Sequence, residues 1–399
     1  MRKLSNTAFV VAWNVIFVFA LLGAAELAAR AIQFHRLGPN SQNPRELRDR
    51  YAEWRNNPAF SDAFVVHNPQ GFRRDTETPV AKPVNTIRVF VLEASVTYGQ
   101  GGMYSDIDDR PPPRNNETID YYLERELNAR FPSRHWEAIN AGVRGYRLHQ
   151  DLARLLSLVL HFQPDYVVSI DGRNDMDVIV EDPSQADPYL TSGLDPDFER
   201  LANPASFGSI RVFSSMWLRN NSVLYRTIHE WMAKRAQMRY FNRKLITGPL
   251  KNPVRWEDLT PAEQTQYRVS ASLLDSYVRE IRQIHAILAV DRIPDLFVLQ
   301  PELVLTRKPL VGTEPRLNEM TRRRDGNLST YGFATLYPKL ARQLAADASA
   351  RGYRFMDLTG AFDGMTDQAF TDFCHLTPHG NRIVAERIFA SLADSFHER

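Results

Sequence analysis

Four short segments of this 399-residue chain hold side chains that could do chemistry together. Asp372 stands three residues before His375 in Asp372-Phe373-Cys374-His375-Leu376-Thr377-Pro378-His379. Within one turn, a carboxylate at that spacing reaches an imidazole Nδ1–H and leaves Nε2 free to take a proton from a serine. Glu93-Ala94-Ser95-Val96-Thr97-Tyr98-Gly99 supplies a serine with a small neighbour, and Ser95 reads either as a nucleophile or as a helix cap. In Asn140-Ala141-Gly142, the Gly142 N–H has no side chain to screen it, although an ordinary turn glycine would look the same. In Asp171-Gly172-Arg173-Asn174-Asp175, the Asn174 amide could donate to a developing oxyanion or serve an Asx turn.

Rival chemistries fit less well. His375 and His379 are four residues apart, but Pro378 argues against one helix carrying both and no His-Glu-x-x-His is present, so no metal is expected. The glycines after Ser95 do not run into a Gly-Lys-Ser/Thr phosphate loop, and no cofactor is expected. Cys374 is the sole cysteine, which excludes an intramolecular disulfide. Beside a histidine it offers a second nucleophile, but the surrounding pattern suits serine better.

The elements that must position these groups alternate. Ile87–Leu92 is a short apolar run rich in β-branched residues, the pattern of a strand buried on both faces. Further strands are expected at 137–141, 166–170, 296–299 and 355–358. Helices are expected over 116–131, 148–162, 265–290, 334–350 and 380–395. This alternation predicts a parallel sheet with helices on both faces. Ser95, Gly142 and Asn174 then follow three of the strands, at the edge where open α/β sheets form sites. The Asp372–His375 block lies beyond the last strand and before the last helix.

Taken in order, Ser, Gly, Asn and Asp-x-x-His resemble the four blocks of the SGNH/GDSL hydrolases over residues 85–399. Gly-x-Asn-Asp is intact at 172–175, as is Asp-x-x-His at 372–375. Leu299-Gln300-Pro301 and Lys308-Pro309-Leu310 resemble the membrane-anchored branch of that family. The resemblance implies a three-layer flavodoxin-like fold and Ser95 attack on an ester carbonyl. It implies oxyanion donors from the Ser95 N–H, the Gly142 N–H and the Asn174 side chain. His375 would be base and then acid, oriented by Asp372, with Gly172 and Asp175 in supporting places. One position departs from the pattern. Glu93 stands where the family has glycine, and there it threatens both backbone strain, if φ must be positive, and repulsion of an oxyanion.

Composition is that of a globular protein, with 43% hydrophobic and 24% charged residues and a net charge of +2. Such a charge implies no global polyanion partner, and no nucleic-acid role is expected. Arg2 and Lys3 precede an uncharged run from Leu4 to Ala25, long enough to span a bilayer. An uncleaved anchor over 1–31 is expected, although Gly23-Ala24-Ala25 resembles a signal cleavage site. Either way the body is expected outside the cytoplasm. Residues 32–84, punctuated by prolines, read as a stem and strap. Residues 177–262 show no buried strand and read as a helical insertion. From 205 to 251 nine Arg/Lys face one acid, Glu230, with interleaved aromatics. That segment suits a solvated helical cover, an anionic polymer or an anionic membrane surface.

The expectation is therefore a membrane-anchored esterase or acyltransferase acting on acyl esters of envelope glycans or lipids through a Ser95 acyl-enzyme. Two other classes remain open: a degenerate binding or assembly subunit at the membrane, and a nucleotide-binding flavodoxin-like protein that would carry a yellow cofactor.

Overall fold

The computed structural model describes residues 2–186 and 207–396. The centre of the 177–262 insertion and the start of the 205–251 segment lie outside the described residues. By contacts the described residues divide into two compact units. One is drawn from 1–47, 59–63 and 194–239; the other is drawn from 48–58, 64–193 and 240–399.

The larger unit is built on a five-stranded parallel sheet of β3 (Thr86–Leu92), β4 (His135–Asn140), β5 (Tyr166–Asp171), β6 (Asp295–Leu299) and β7 (Arg354–Asp357). The spatial order is β4-β3-β5-β6-β7. Counted within the sheet this is 2-1-3-4-5, the flavodoxin-like order expected. All seven residues of β3 are buried. Successive side chains of a strand leave on opposite faces, so β3 feeds two cores. Phe90 and Leu92 join one, together with Leu148, Leu155, Ile281, Ile284 and Leu340. Val89 and Val91 join the other, with Leu123, Leu127, Val384, Ile388 and Leu392. Each such side chain contributes about 1.5–3 kcal/mol when fully buried, which fixes three layers.

On the first face lie α4 (Leu148–Ser157), α9 (Leu274–Val290) and α10 (Glu314–Arg351); on the second lie α3 (Ile119–Arg130) and α11 (Pro378–Phe396). Two expected helices differ in extent. The 265–290 helix is two, α8 (Pro261–Ser272) and α9, divided at Leu273. The 334–350 helix is the second half of α10, which begins at Glu314 and is interrupted at Gly326, with φ 73°. The expected strap carries a two-stranded ribbon, β1 (Glu46–Asp49) and β2 (Glu53–Asn56), that the sequence did not suggest.

The smaller unit is helical. Its α1 (Arg2–Leu37) contains a stretch, Ala8–Leu37, long and apolar enough to cross a membrane, with a mean hydropathy of 2.3 over its most apolar 18 residues. Two further helices belong to it, α6 (Phe207–Asn221) and the described start of α7 (Val223–Lys244).

Candidate active site

Strand order reverses at β3, and the crevice above the carboxyl ends of β3 and β5 is the switch point where ligands bind in such sheets. The chain turns sharply there. Leu92 closes β3, and Glu93 takes φ 133°. Ser95 then opens the one-turn helix α2 (Ser95–Tyr98), which ends on Gly99 in the left-handed region. This turn places Ser95 at the sheet edge, where it is buried to 8% of its surface.

His375 is held by a tightly bonded loop. Its Nδ1 lies 2.6 Å from Asp372 Oδ2. Asp372 Oδ1 accepts the N–H groups of Cys374 and His375, both at 2.9 Å, and Oδ2 also accepts the Met103 N–H at 2.9 Å. Burial alone would raise the Asp372 pKa, but the imidazole and these donors outweigh it and hold the carboxyl at about 2. With Nδ1 facing a carboxylate, the other ring nitrogen is the one free to act. His375 Nε2 is buried and has no hydrogen-bond partner among the described residues. The Met103 bond joins the loop after α2 to the histidine loop, so Ser95 and His375 lie on connected segments of one edge. Ser95 makes no hydrogen bond to that nitrogen in this structure.

The expected oxyanion donors are differently employed. The Gly142 N–H is already given to Asn140 Oδ1 at 3.1 Å. Gly142 is needed for close approach instead. A Cβ there would lie 2.7 Å from the Tyr98 nitrogen and 3.1 Å from the Ala94 oxygen. The Asn174 amide donates one hydrogen to Tyr146 O at 2.7 Å, and its Nδ2 carries a second. Gly172 has φ 141°, and a Cβ there would meet the Tyr337 hydroxyl. Asp175 Oδ2 faces the Leu148 N–H at 3.4 Å, and burial with Glu280 and Asp171 nearby pushes its pKa well up.

Glu93 realises the expected strain: a non-glycine residue held at positive φ costs on the order of 1–3 kcal/mol. Its side chain offsets part of this by accepting the Thr97 N–H at 2.7 Å, which caps α2. Burial, and after it the charge of Asp171, raise its pKa well above the usual carboxylate range. A carboxyl shifted in this direction carries less negative charge at a given pH, which weakens the electrostatic objection to this residue.

Several supporting roles escaped the sequence reading. Asn140 bridges Thr97 O at 2.6 Å and Asp120 at 2.7 Å. Arg73, buried in the strap, donates to the carbonyls of Tyr98, Gly99 and Pro113, clasping the serine turn. Asn56 donates to Gly142 O at 2.9 Å. Arg173 sits 4.3 Å over both Phe333 and Phe373 and pairs with Glu302 at 3.1 Å, which fixes the histidine loop from below. Lys308 is part of a fully buried pair with Glu314, whose other oxygen accepts Ala369 N–H at 2.9 Å. The turn that presents Arg73 was visible as Asn68-Pro69-Gln70-Gly71, in which Asn68 Oδ1 accepts two backbone N–H groups.

Asp372, Cys374 and His375 bring ligand atoms within 4.8 Å of one another. Those of Asp372, and Nδ1 of His375, are engaged with one another or with backbone N–H. Burial, and then the Asp372 charge, push the Cys374 thiol well up, which disfavours it both as a ligand and as a nucleophile.

No protein-family model and no curated protein matches the sequence. Several solved structures match over most of the chain. An acetyl xylan esterase shares 14% identity over 77% of this chain and 100% of its own, with a TM-score of 0.39. An α/β hydrolase enzyme from the metagenome of Lake Arreo, Spain, shares 16% over 77% and 95%, with a TM-score of 0.36. A GDSL-like lipase from Bacteroides thetaiotaomicron shares 13% over 79% and 92%, with a TM-score of 0.33. The chain's own sheet order, 2-1-3-4-5 counted within the sheet, is that of a flavodoxin-like α/β fold.

Proposed function

We propose that this chain is a serine ester hydrolase or O-acyltransferase of SGNH type. In this reading α1 anchors it and the sheet domain stands outside the cytoplasm, acting on acyl esters of envelope glycans or lipids. The observation that carries it is the Asp372–His375 pair with an unpartnered Nε2, on the same sheet edge as Ser95. Ser95 Oγ attacks the ester carbonyl while His375 Nε2 takes its proton. The tetrahedral oxyanion draws on the Ser95 N–H and the second hydrogen of Asn174 Nδ2, joined by the Gly142 N–H if Asn140 releases it. His375 then returns the proton to the leaving alcohol, and an acyl group remains on Ser95. Water as acceptor gives hydrolysis; a sugar hydroxyl gives transfer. The Ser95–His375 hydrogen bond forms in the substrate complex, as catalytic bonds often do.

A second reading is favoured by one observation: Glu93 is held at φ 133° where a glycine would be unstrained. It makes the chain a catalytically degenerate binding subunit. The full chain in detergent, alongside Ser95→Ala, separates the two. Under the first reading a fluorophosphonate labels Ser95, and p-nitrophenyl acetate turnover falls on the order of 10³-fold or more in the variant. A folded wild type that is neither labelled nor active selects the second.

A further inference from the structure

In the smaller unit, the distribution of apolar and charged surface points to a second membrane contact. The uncharged run Leu4–Ala25 forms, at about 1.5 Å per residue, a rod of about 33 Å, against a hydrocarbon core of about 30 Å. From Ala8 to Ala25 its side chains are uncovered; Phe17 is 62% exposed and Phe19 70%. The first charged residues after the run are Glu26 and Arg30, which therefore mark the level where α1 leaves the hydrocarbon.

These same two residues hold the junction of α6 and α7. Glu26 accepts the Val223 and Leu224 N–H groups, both at 2.9 Å, and the Ser222 hydroxyl at 2.8 Å. Arg30 donates to Asn221 O at 2.7 Å and pairs with Glu26 at 2.7 Å. An anion thus sits on the free amides that start α7, and a cation on a carbonyl that ends α6, each at the helix end whose dipole suits it. The pairing pins the hairpin one turn beyond the apolar run.

From that junction α6 presents Ile210, Phe213 and Trp217 on one face at i, i+3 and i+7, exposed by 59%, 63% and 57%. Trp217 lies only about 6 Å along the helix from the pinned end. On α7, Trp231 is exposed beneath Arg235, 5.0 Å from its ring. Over 207–244 eight Arg/Lys face the single acid Glu230. Charges at this density forbid a second span. Aromatic residues with arginines at headgroup level are instead what an interfacial helix needs.

We propose that the α6–α7 hairpin lies on the membrane surface, with Ile210, Phe213 and Trp217 among the upper acyl chains and the arginines on anionic headgroups. This rests on α1 spanning the bilayer. An anionic lipid is favoured over another protein because the span brings the bilayer to this face and the surrounding charge is positive.

The test uses the full chain reconstituted into vesicles of phosphatidylcholine, alone or mixed with phosphatidylglycerol. Cys374 is 2% exposed, so an introduced cysteine takes the fluorophore. Labels at Phe213→Cys and Trp217→Cys are compared with Phe17→Cys in the span and Val290→Cys on the sheet domain, which is 81% exposed. The expected result is several-fold stronger quenching by brominated lipid at 213 and 217 than at 290. The quenching should be shallower than at 17, and should strengthen with phosphatidylglycerol unless Arg211, Arg219 and Arg235 are changed to Gln. Iodide quenching at 213 and 217 equal to that at 290 overturns the proposal, as does shielding from both quenchers, the signature of a protein cover such as a second copy. Loss of lipid quenching at 17 marks failure of the span itself.

Discussion

The loop carrying His375 and the turn carrying Ser95 each bury a carboxyl group, and they shift its pKa in opposite directions. Asp372 is held at about 2, whereas Glu93 is pushed well above the usual carboxylate range. Burial is not what separates them, since Asp372 is fully buried and Glu93 is 3% exposed. What differs is company. Asp372 receives three backbone N–H groups and an imidazole, whereas Glu93 has backbone donors but faces the carboxyl of Asp171. A charged partner offsets the upward push that burial gives an acid; a like-charged neighbour adds to it. The proposed mechanism uses the first as an orienting anion; the second accepts the Thr97 N–H at the start of α2.

The largest effect expected from this contrast is at Asp372. Asp372→Asn preserves shape but removes the anion that selects the imidazole tautomer, so kcat should fall on the order of 10³–10⁴-fold. Steady-state kinetics with p-nitrophenyl acetate check it. A loss below tenfold would mean that the carboxylate is not orienting a base. Next comes Arg173, whose guanidinium pairs with Glu302 and Asp325 at 3.1 and 3.3 Å. Arg173→Met leaves the buried Glu302 without its cation, although Asp325 keeps Arg324, and should lower unfolding free energy by about 3–5 kcal/mol, read from urea denaturation.

The two sides also titrate in opposite senses. Asp120 and Asp171 are raised by burial to about 6, and Glu302 to about 8. Their unfolded values lie near 4, so between about pH 4 and 8 the folded chain binds more protons than the unfolded one. Stability from these groups is full below that window and is lost as pH rises through it. Asp372, held at about 2, works the other way: its contribution is present above about 4 and lost as pH falls toward 2. Thermal midpoints should therefore peak near pH 4–5 and decline toward 8. A midpoint that rises from pH 4 to 8 would break the contrast by showing that the raised acids do not govern.

The sequence made legible whatever depends on local pattern. Five strands, their parallel pairing and the Asp-x-x-His turn all follow from apolar runs and from spacing along one stretch of chain. What it hid depends on approach from elsewhere. Nothing near Gly142 foretells that Asn140 turns back onto its N–H, or that Asn56 arrives from the strap. The strap reads as a tether because its polar, proline-rich composition resembles one, yet Arg73 within it clasps the serine turn. The start of α10 was obscured because Gly326 interrupts its periodicity. At Glu93 the sequence raised the right question, strain and charge, but the answer lay in its burial and in Asp171, 78 residues along the chain.

The smallest expected effect is therefore the most discriminating. If Glu93 acts as a neutral cap, Glu93→Gln keeps the shape, the neutrality and an acceptor for the Thr97 N–H, and activity should stay within about threefold of wild type. Glu93→Ala removes the acceptor and should cost about 1 kcal/mol of stability, as loss of a helix cap does. The φ of 133° is unchanged by either substitution, so the two variants separate capping from strain. A Gln variant as impaired as Asp372→Asn would mean that Glu93 works as an anion, and the two loops would then be alike. Turnover and thermal midpoints measured on the same two preparations decide between these outcomes.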